Sequence, residues 1–205
     1  MGRMCSIVTL CVTCASFAGC CSRVPKGPDR PAFNAATSGQ QAIAAYDKDG
    51  DGKISGEELQ ACPALEMALP RVDKNGDSAI SADEIADRIN YYQTAKTTII
   101  SGSAEVTMKD SPVVGATVTF EPETFMGPTF QTCTGETDQR GVAFISGHDA
   151  KFPGIYLGLY RVRISKKEGD RETIPAKYNT ESILGYEATD DIPDVNNIIQ
   201  FTLEG

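Results

Sequence analysis

Between residues 47 and 58 the chain reads DKDGDGKISGEE. Asp47, Asp49 and Asp51 alternate with other residues, Gly52 follows, and Ser55 and Glu58 complete the run. This spacing suits the wrapping of a hard cation. Ca²⁺ takes about six to eight oxygen ligands, and a looped chain supplies them from alternate residues. On that reading the ligands are Asp47, Asp49, Asp51, the Lys53 carbonyl, Ser55 (directly or through water) and a bidentate Glu58. Gly52 permits the sharp turn. A second run, DKNGDSAISADE at 73–84, repeats the device with Asp73, Asn75, Asp77, the Ala79 carbonyl, Ser81 and Glu84. Here Ser78 stands where the first run has glycine, so it must take positive φ at some cost. The second run also has three ligating carboxylates where the first has four. Two Ca²⁺ sites are expected, the first the stronger.

Both runs resemble the EF-hand loop, and the resemblance implies that each is flanked by helices and that Ile54 and Ile80 face one another. The two loops begin 26 residues apart, with LQACPALEMALPRV between them. Two full helices do not fit there. The sequence predicts a short helix ending near Cys62, a second opened by Pro63 at its first position, and a bend at Pro70. SADEIADRINYYQTA supplies a better final helix, with Ile85, Ile89 and Tyr92 on one face. Leu59, Leu65, Met67, Leu69, Ile85 and Ile89 are the expected small core. Residues 47–84 carry ten acids and four bases, a net −6, so without metal the carboxylates repel one another. So cramped a pair suits a metal-clamped structural unit better than a sensor that opens widely. Dockerins also pair two loops, but Gly56-Glu57 and Ala82-Asp83 replace their Ser/Thr recognition pairs, which argues against cohesin binding.

The N-terminus reads as an address. Arg3 precedes an apolar run from about Met4 to Ala18, too short for a permanent span, which needs ~20 residues, and fitting a secretory signal. FAGC at 17–20 resembles the bacterial lipobox, which implies lipidation at Cys20. Residues 1–19 are then a signal peptide, and 20–40, rich in Pro, Gly and Ser, a flexible tether. The resemblance implies secretion across the inner membrane and lipid anchoring in the bacterial cell envelope (outer membrane or periplasmic face). Five of the seven cysteines fall in the first 21 residues. Cys62 and Cys133 remain, either as a disulfide or as two separate buried thiols.

After Lys96, short alternating runs of Val, Ile, Thr and Tyr replace the helix formers. About seven strands are expected from TTIISGSAEVTM, VVGATVTFEP, TFQTCTGET, GVAFISG, GLYRVRISK, RETIPAKY and IIQFTLE. The fold class is therefore α+β and multidomain: a short helical EF-hand pair over 41–95, then an antiparallel seven-stranded prealbumin/Ig-like β-sandwich over 97–205. SPVVGATVTF at 111–120, TDQRGVAFI at 137–145 and GLYRVRI at 158–164 resemble the carboxypeptidase regulatory-like, transthyretin-type domain. So does the ending IPAKYNTESILGYEA. That family includes small bacterial secreted proteins and lipoproteins, some with an EF-hand pair ahead of the sandwich.

The composition excludes several classes. A net charge of −9 and a pI near 4.7 make nucleic acid a poor partner. His148, the single histidine, lies in SGHDAKFPG with Ser146 and Asp149 nearby, but proximity in sequence does not build a triad. No phosphate loop, zinc spacing or nucleophile motif occurs in the sequence. The basic run Arg161, Arg163, Lys166, Lys167 reads as the solvated face and edge of a strand. The expected protein is not an enzyme. It is a calcium-binding, membrane-anchored lipoprotein with a structural or adhesive role, contacting the membrane through its lipid and a protein or glycan through the sandwich. The alternatives are a calcium-responsive regulator and an accessory binding module of an envelope enzyme.

Overall fold

A computed structural model describes residues 28–147, 153–192 and 198–204. The expected signal peptide, Cys20, His148 and Asp149 lie outside these residues. The fold is α+β. Four helices, α1 (Ala35–Tyr46), α2 (Gly56–Ala61), α3 (Pro63–Val72) and α4 (Ala82–Thr94), enclose two short strands, β1 (Lys53–Ser55) and β2 (Ala79–Ser81). Strands follow from β3 (Ile99–Ile100) onward.

Helix α1 begins at Ala35, inside the 20–40 stretch that the sequence presented as a tether. Asn34 caps it by accepting from the Thr37 amide, and its buried face is Ala35, Ser38, Gly39 and Ala42. Small residues let it lie close on α4. A Cβ on Gly39 would fall 2.2 Å from the Ala82 carbonyl oxygen. Upstream, Arg30 donates to the carbonyls of Tyr92 and Ala95 at the end of α4, and Thr129 donates to the Ala32 carbonyl. Residues 28–40 are therefore packed against the fold.

Pro63 stands in the first turn of α3, where its missing N–H costs nothing. The bend expected at Pro70 does not end the helix, which runs on to Val72. Pro70 sits in the last turn and forgoes a single bond there. Ala64, Leu65, Ala68 and Val72 face inward, so Met67, on the opposite side, is 48% exposed and not core as expected. Leu69 is only partly buried.

The β region is built on two four-stranded sheets. The first orders β13 (Leu184–Ala188), β10 (Gly158–Ser165), β6 (Thr117–Pro122) and β7 (Cys133–Glu136), all antiparallel. In the second, β4 (Ser103–Met108) is flanked on one side by β14 (Ile199–Leu203) and on the other by β5 (Ser111–Pro112) and β8 (Val142–Phe144). Strand β14 runs parallel to β4, where the sequence reading had every pair antiparallel. Short pairs of β3 with β9 (Ile155–Tyr156) and of β11 (Lys167–Glu168) with β12 (Arg171–Glu172) complete the set. The segment RETIPAKY, read as one strand, is β12 followed by a 3-10 turn at Ala176–Tyr178.

Alternation sets which face is which. Tyr160, Val162 and Ile164 of β10 point inward with Val118 and Phe120 of β6. Phe120 meets Phe201 of β14, ring centroids 6.2 Å apart, so the apolar faces of the two sheets share a core. The outer face of β10 and β13 carries Arg161, Gly185 and Glu187, and the helices cover it. A Cβ on Gly185 would fall 2.1 Å from the backbone of Pro63. Arg161 and Arg163, expected in solvent, are engaged instead. Arg161 donates to the carbonyls of Ala61 and Ser182, and Arg163 pairs with Glu121 at 2.6 Å. Arg161 thereby satisfies the carboxyl end of α2, where helix carbonyls lack internal partners.

Candidate metal centre

The two loops fold alike, residue by residue. In the first, the Asp47 carboxylate accepts from the amides of Gly50 and Gly52 at 2.6 and 2.9 Å. Asp49 accepts from Asp51, and Asp51 from Lys53. Glu58 reaches back from α2 to the amides of Lys48 at 2.7 Å and Ser55 at 3.0 Å. In the second, Asp73 accepts from Gly76 and Ser78, Asn75 from Asp77, and Asp77 from Ala79. Glu84 reaches back to Lys74 and Ser81. Glu58 and Glu84 each close a capping box with the preceding serine. Ser78 has φ +64°, the left-handed value that Gly52 takes at +85°.

Strands β1 and β2 join the loops. Ile54 stands opposite Ile80 in the register, and both side chains are fully buried. Each loop thus fixes the other's backbone at the centre of the pair.

Electrostatically the loops differ. Oxygens of Asp47, Asp49 and Glu58 lie within 4.8 Å of one another, close enough to share one ion. Among the described residues no other three acids converge in this way. In the second loop Asp77 is engaged by Lys53, which crosses from the first loop to Asp77 Oδ2 at 2.5 Å. That ammonium holds Asp77 below the usual carboxylate range, and Asp77 raises Lys53 in return. Glu58 is also held low, chiefly by the Lys48 and Ser55 amides. Burial would raise Glu84, but hydrogen bonds from Ser81 and Lys74 outweigh it and keep it low. Both closing glutamates are therefore ionised at neutral pH, the form a metal needs.

The donor set is all oxygen and rich in carboxylate, which fits Ca²⁺ and not a softer metal. In the first loop Asp47, Asp49 and Glu58 converge, and Asp51, the Lys53 carbonyl and Ser55 follow at the offsets read from the sequence. In the second, Asp73, Asn75, Asp77, the Ala79 carbonyl, Ser81 and Glu84 occupy the same offsets, and Lys53 competes for Asp77 there.

Around this centre runs a polar seam that sequence reasoning missed. Glu187 on β13 is fully buried at its side chain. It accepts from Arg71 Nε of α3, Arg88 Nε of α4 and the Tyr92 hydroxyl, each at 2.5 Å. Arg88 also forks onto Asp191 at 2.6 and 2.9 Å and donates to Thr189. Opposite, the Tyr46 hydroxyl, one residue before Asp47, donates to Glu123 at 2.7 Å. The Oε1 atom of Glu123 is buried without a hydrogen bond, with Arg161 Nη2 3.8 Å away. Cys62 and Cys133 are separate buried thiols. Burial, aided by the Glu123 charge, pushes Cys62 up to about 12, and burial pushes Cys133 up to about 11.

Comparison with protein families finds an EF hand over residues 40–63, which spans the first loop, the end of α1 and α2. The match supports calcium binding. No curated protein and no solved structure matches the chain significantly.

Proposed function

We propose that the protein is a calcium-binding, lipid-anchored envelope protein. In it two bound ions brace the helices against a carboxypeptidase regulatory-like β-sandwich. The observation that carries calcium binding is the convergence of Asp47, Asp49 and Glu58 inside a loop that matches the EF hand. The two loops act as one unit, the first site binding more tightly, because Lys53 competes for Asp77 only in the second. A structural role for the metal is favoured over sensing. Helices α3 and α4 are fixed to β13 by the buried Glu187, which leaves little freedom to swing open.

The reading of 97–205 as a seven-stranded transthyretin-type sandwich rests on the motifs at 111–120, 137–145 and 158–164. It is supported by two sheets that share the Phe120–Phe201 core. Its role is binding and not catalysis, directed at a protein or glycan in the envelope. Anchoring at Cys20 rests on the FAGC motif. Incorporation of labelled fatty acid at Cys20 supports it, whereas release of unlabelled protein into the medium refutes it.

Calcium titration calorimetry on residues 22–205 tests the central claim. Heat from two sites is expected, with Asp47→Ala losing more affinity than Asp73→Ala. The absence of calcium heat in the unsubstituted chain sinks the proposal, and a larger loss in Asp73→Ala reverses the ranking of the sites.

A further inference from the structure

One cavity of about 600 Å³ lies outside the metal centre, between α3, β3, β13 and the start of β14. Its volume falls within the range of small-molecule sites, about 300–1,000 Å³. Its walls are mainly apolar, with Met67, Ile99, Ile192 and Ile198 at the sides and Phe201 among the lining residues. Met67, Ile192 and Ile198 are 48%, 41% and 40% exposed. They are three of the five large hydrophobic side chains that stand exposed among the described residues. Isolated exposed hydrophobics are ordinary, but several gathered on one concavity mark a binding site.

The charge of the lining chooses the ligand. Among the described lining residues the charged side chains are Glu187 and Asp190, both acidic. Glu187 is consumed by Arg71, Arg88 and Tyr92. Asp190 is exposed, with one oxygen accepting from the Tyr91 hydroxyl at 2.5 Å and the other from the Thr97 amide at 3.3 Å. Burial raises Asp190 somewhat, yet these bonds prevail and hold it below the usual range. It presents a fixed negative charge beside an apolar hollow. An anionic amphiphile such as a fatty acid is repelled there, and a cationic head is attracted.

We propose that this cavity binds an amphiphile with a single alkyl chain and a cationic head, the chain lying against Met67, Ile192 and Ile198 and the head beside Asp190. The test is calorimetry on the chain loaded with Ca²⁺ and then freed of the excess, which would otherwise precipitate a fatty acid, with dodecyltrimethylammonium below its micelle concentration and with dodecanoate as the anionic counterpart. Saturable binding of one equivalent is expected, at least tenfold tighter than dodecanoate. Ile192→Arg places a positive charge at an exposed rim position and should weaken the cationic probe at least tenfold. Asp190→Asn should erase the preference between the two probes. Circular dichroism verifies that both variants stay folded. The proposal is overturned by the absence of saturable heat, by equal affinity for dodecanoate, or by binding that Ile192→Arg leaves unchanged.

Discussion

Replacing Glu187 by glutamine tests whether the helices and the β region are one structure. The side chain keeps its size and loses its charge. Glutamine has one acceptor oxygen where glutamate offers two, and Glu187 uses both: Oε1 for Arg88 and Tyr92, Oε2 for Arg71. If the amide oxygen stays with Arg88 and Tyr92, its NH₂ faces the Arg71 donor. Arg71 is 25% exposed at its side chain and turns to water, at a loss of about 1 kcal/mol. Arg88, only 7% exposed, trades a charge-assisted bond for a neutral one, a further loss of about 1–1.5 kcal/mol. Tyr92 loses a similar but smaller increment. The sum is roughly 2–4 kcal/mol. It lies at or below the ~3–5 kcal/mol of a fully broken buried pair, because Asp191 still compensates Arg88. Urea unfolding in excess calcium, followed by circular dichroism, measures it directly. The matching fall in melting temperature is roughly 5–15 °C. A loss below about 0.5 kcal/mol would refute the claim that Glu187 ties the two parts together, and Arg71→Ala should cost only about 1 kcal/mol.

Other expectations concern strain, contact and titration. Ser78→Gly should relieve the left-handed backbone, adding about 0.5–1 kcal/mol in thermal melts and tightening calcium binding at the second loop in calorimetry. Gly185→Ala should cost about 2–3 kcal/mol of urea stability, since its Cβ would overlap Pro63 and push α3 off β13. Cys62 and Cys133 are neutral when folded, so their contribution is complete below the unfolded thiol value near ~8.5 and is lost as pH climbs toward 11–12. Alkaline unfolding curves should therefore steepen above that value, less so in Cys62→Ala, and native thiols at pH 8 should react with a disulfide reagent far more slowly than unfolded ones. Asp191 is held down to about 2, first by Arg88, so its contribution is present above the unfolded value near ~3.9 and fades as pH falls toward 2. Asp191→Asn should flatten that acid limb.

The two acidic loops were legible because their chemistry is local. Ligands at fixed offsets, a glycine for the turn and an isoleucine for the pairing all fall within twelve consecutive residues. Ser78 was legible for the same reason, since its positive φ follows from its place in the loop. Helix α1 was not. Its buried face is Ala, Ser, Gly and Ala, which contributes no apolar stripe and reads as tether until Ala82 is seen against Gly39. Strand β13 was hidden by its own Glu187. A buried acid breaks the expected pattern, and the arginines that justify it are far away in sequence. The parallel pairing of β14 with β4 depends on chain topology and leaves no local trace.

The partners of Glu187 precede it by 116, 99 and 95 residues. Contacts of such range form late, after the loop between them has been closed. Until residue 187 is in place, Arg71 and Arg88 lack this carboxylate, and the face of α3 that packs on β13 lies bare. A fragment ending near residue 95 would keep both loops, yet would uncover Pro63 and Ala64 of α3 and leave two stranded cations. The boundary that looks natural in the sequence is thus a poor place to cut. The contacts that hold α3 and α4 reach on to β13, so the two loops are an early section of a structure completed by residues about a hundred positions downstream.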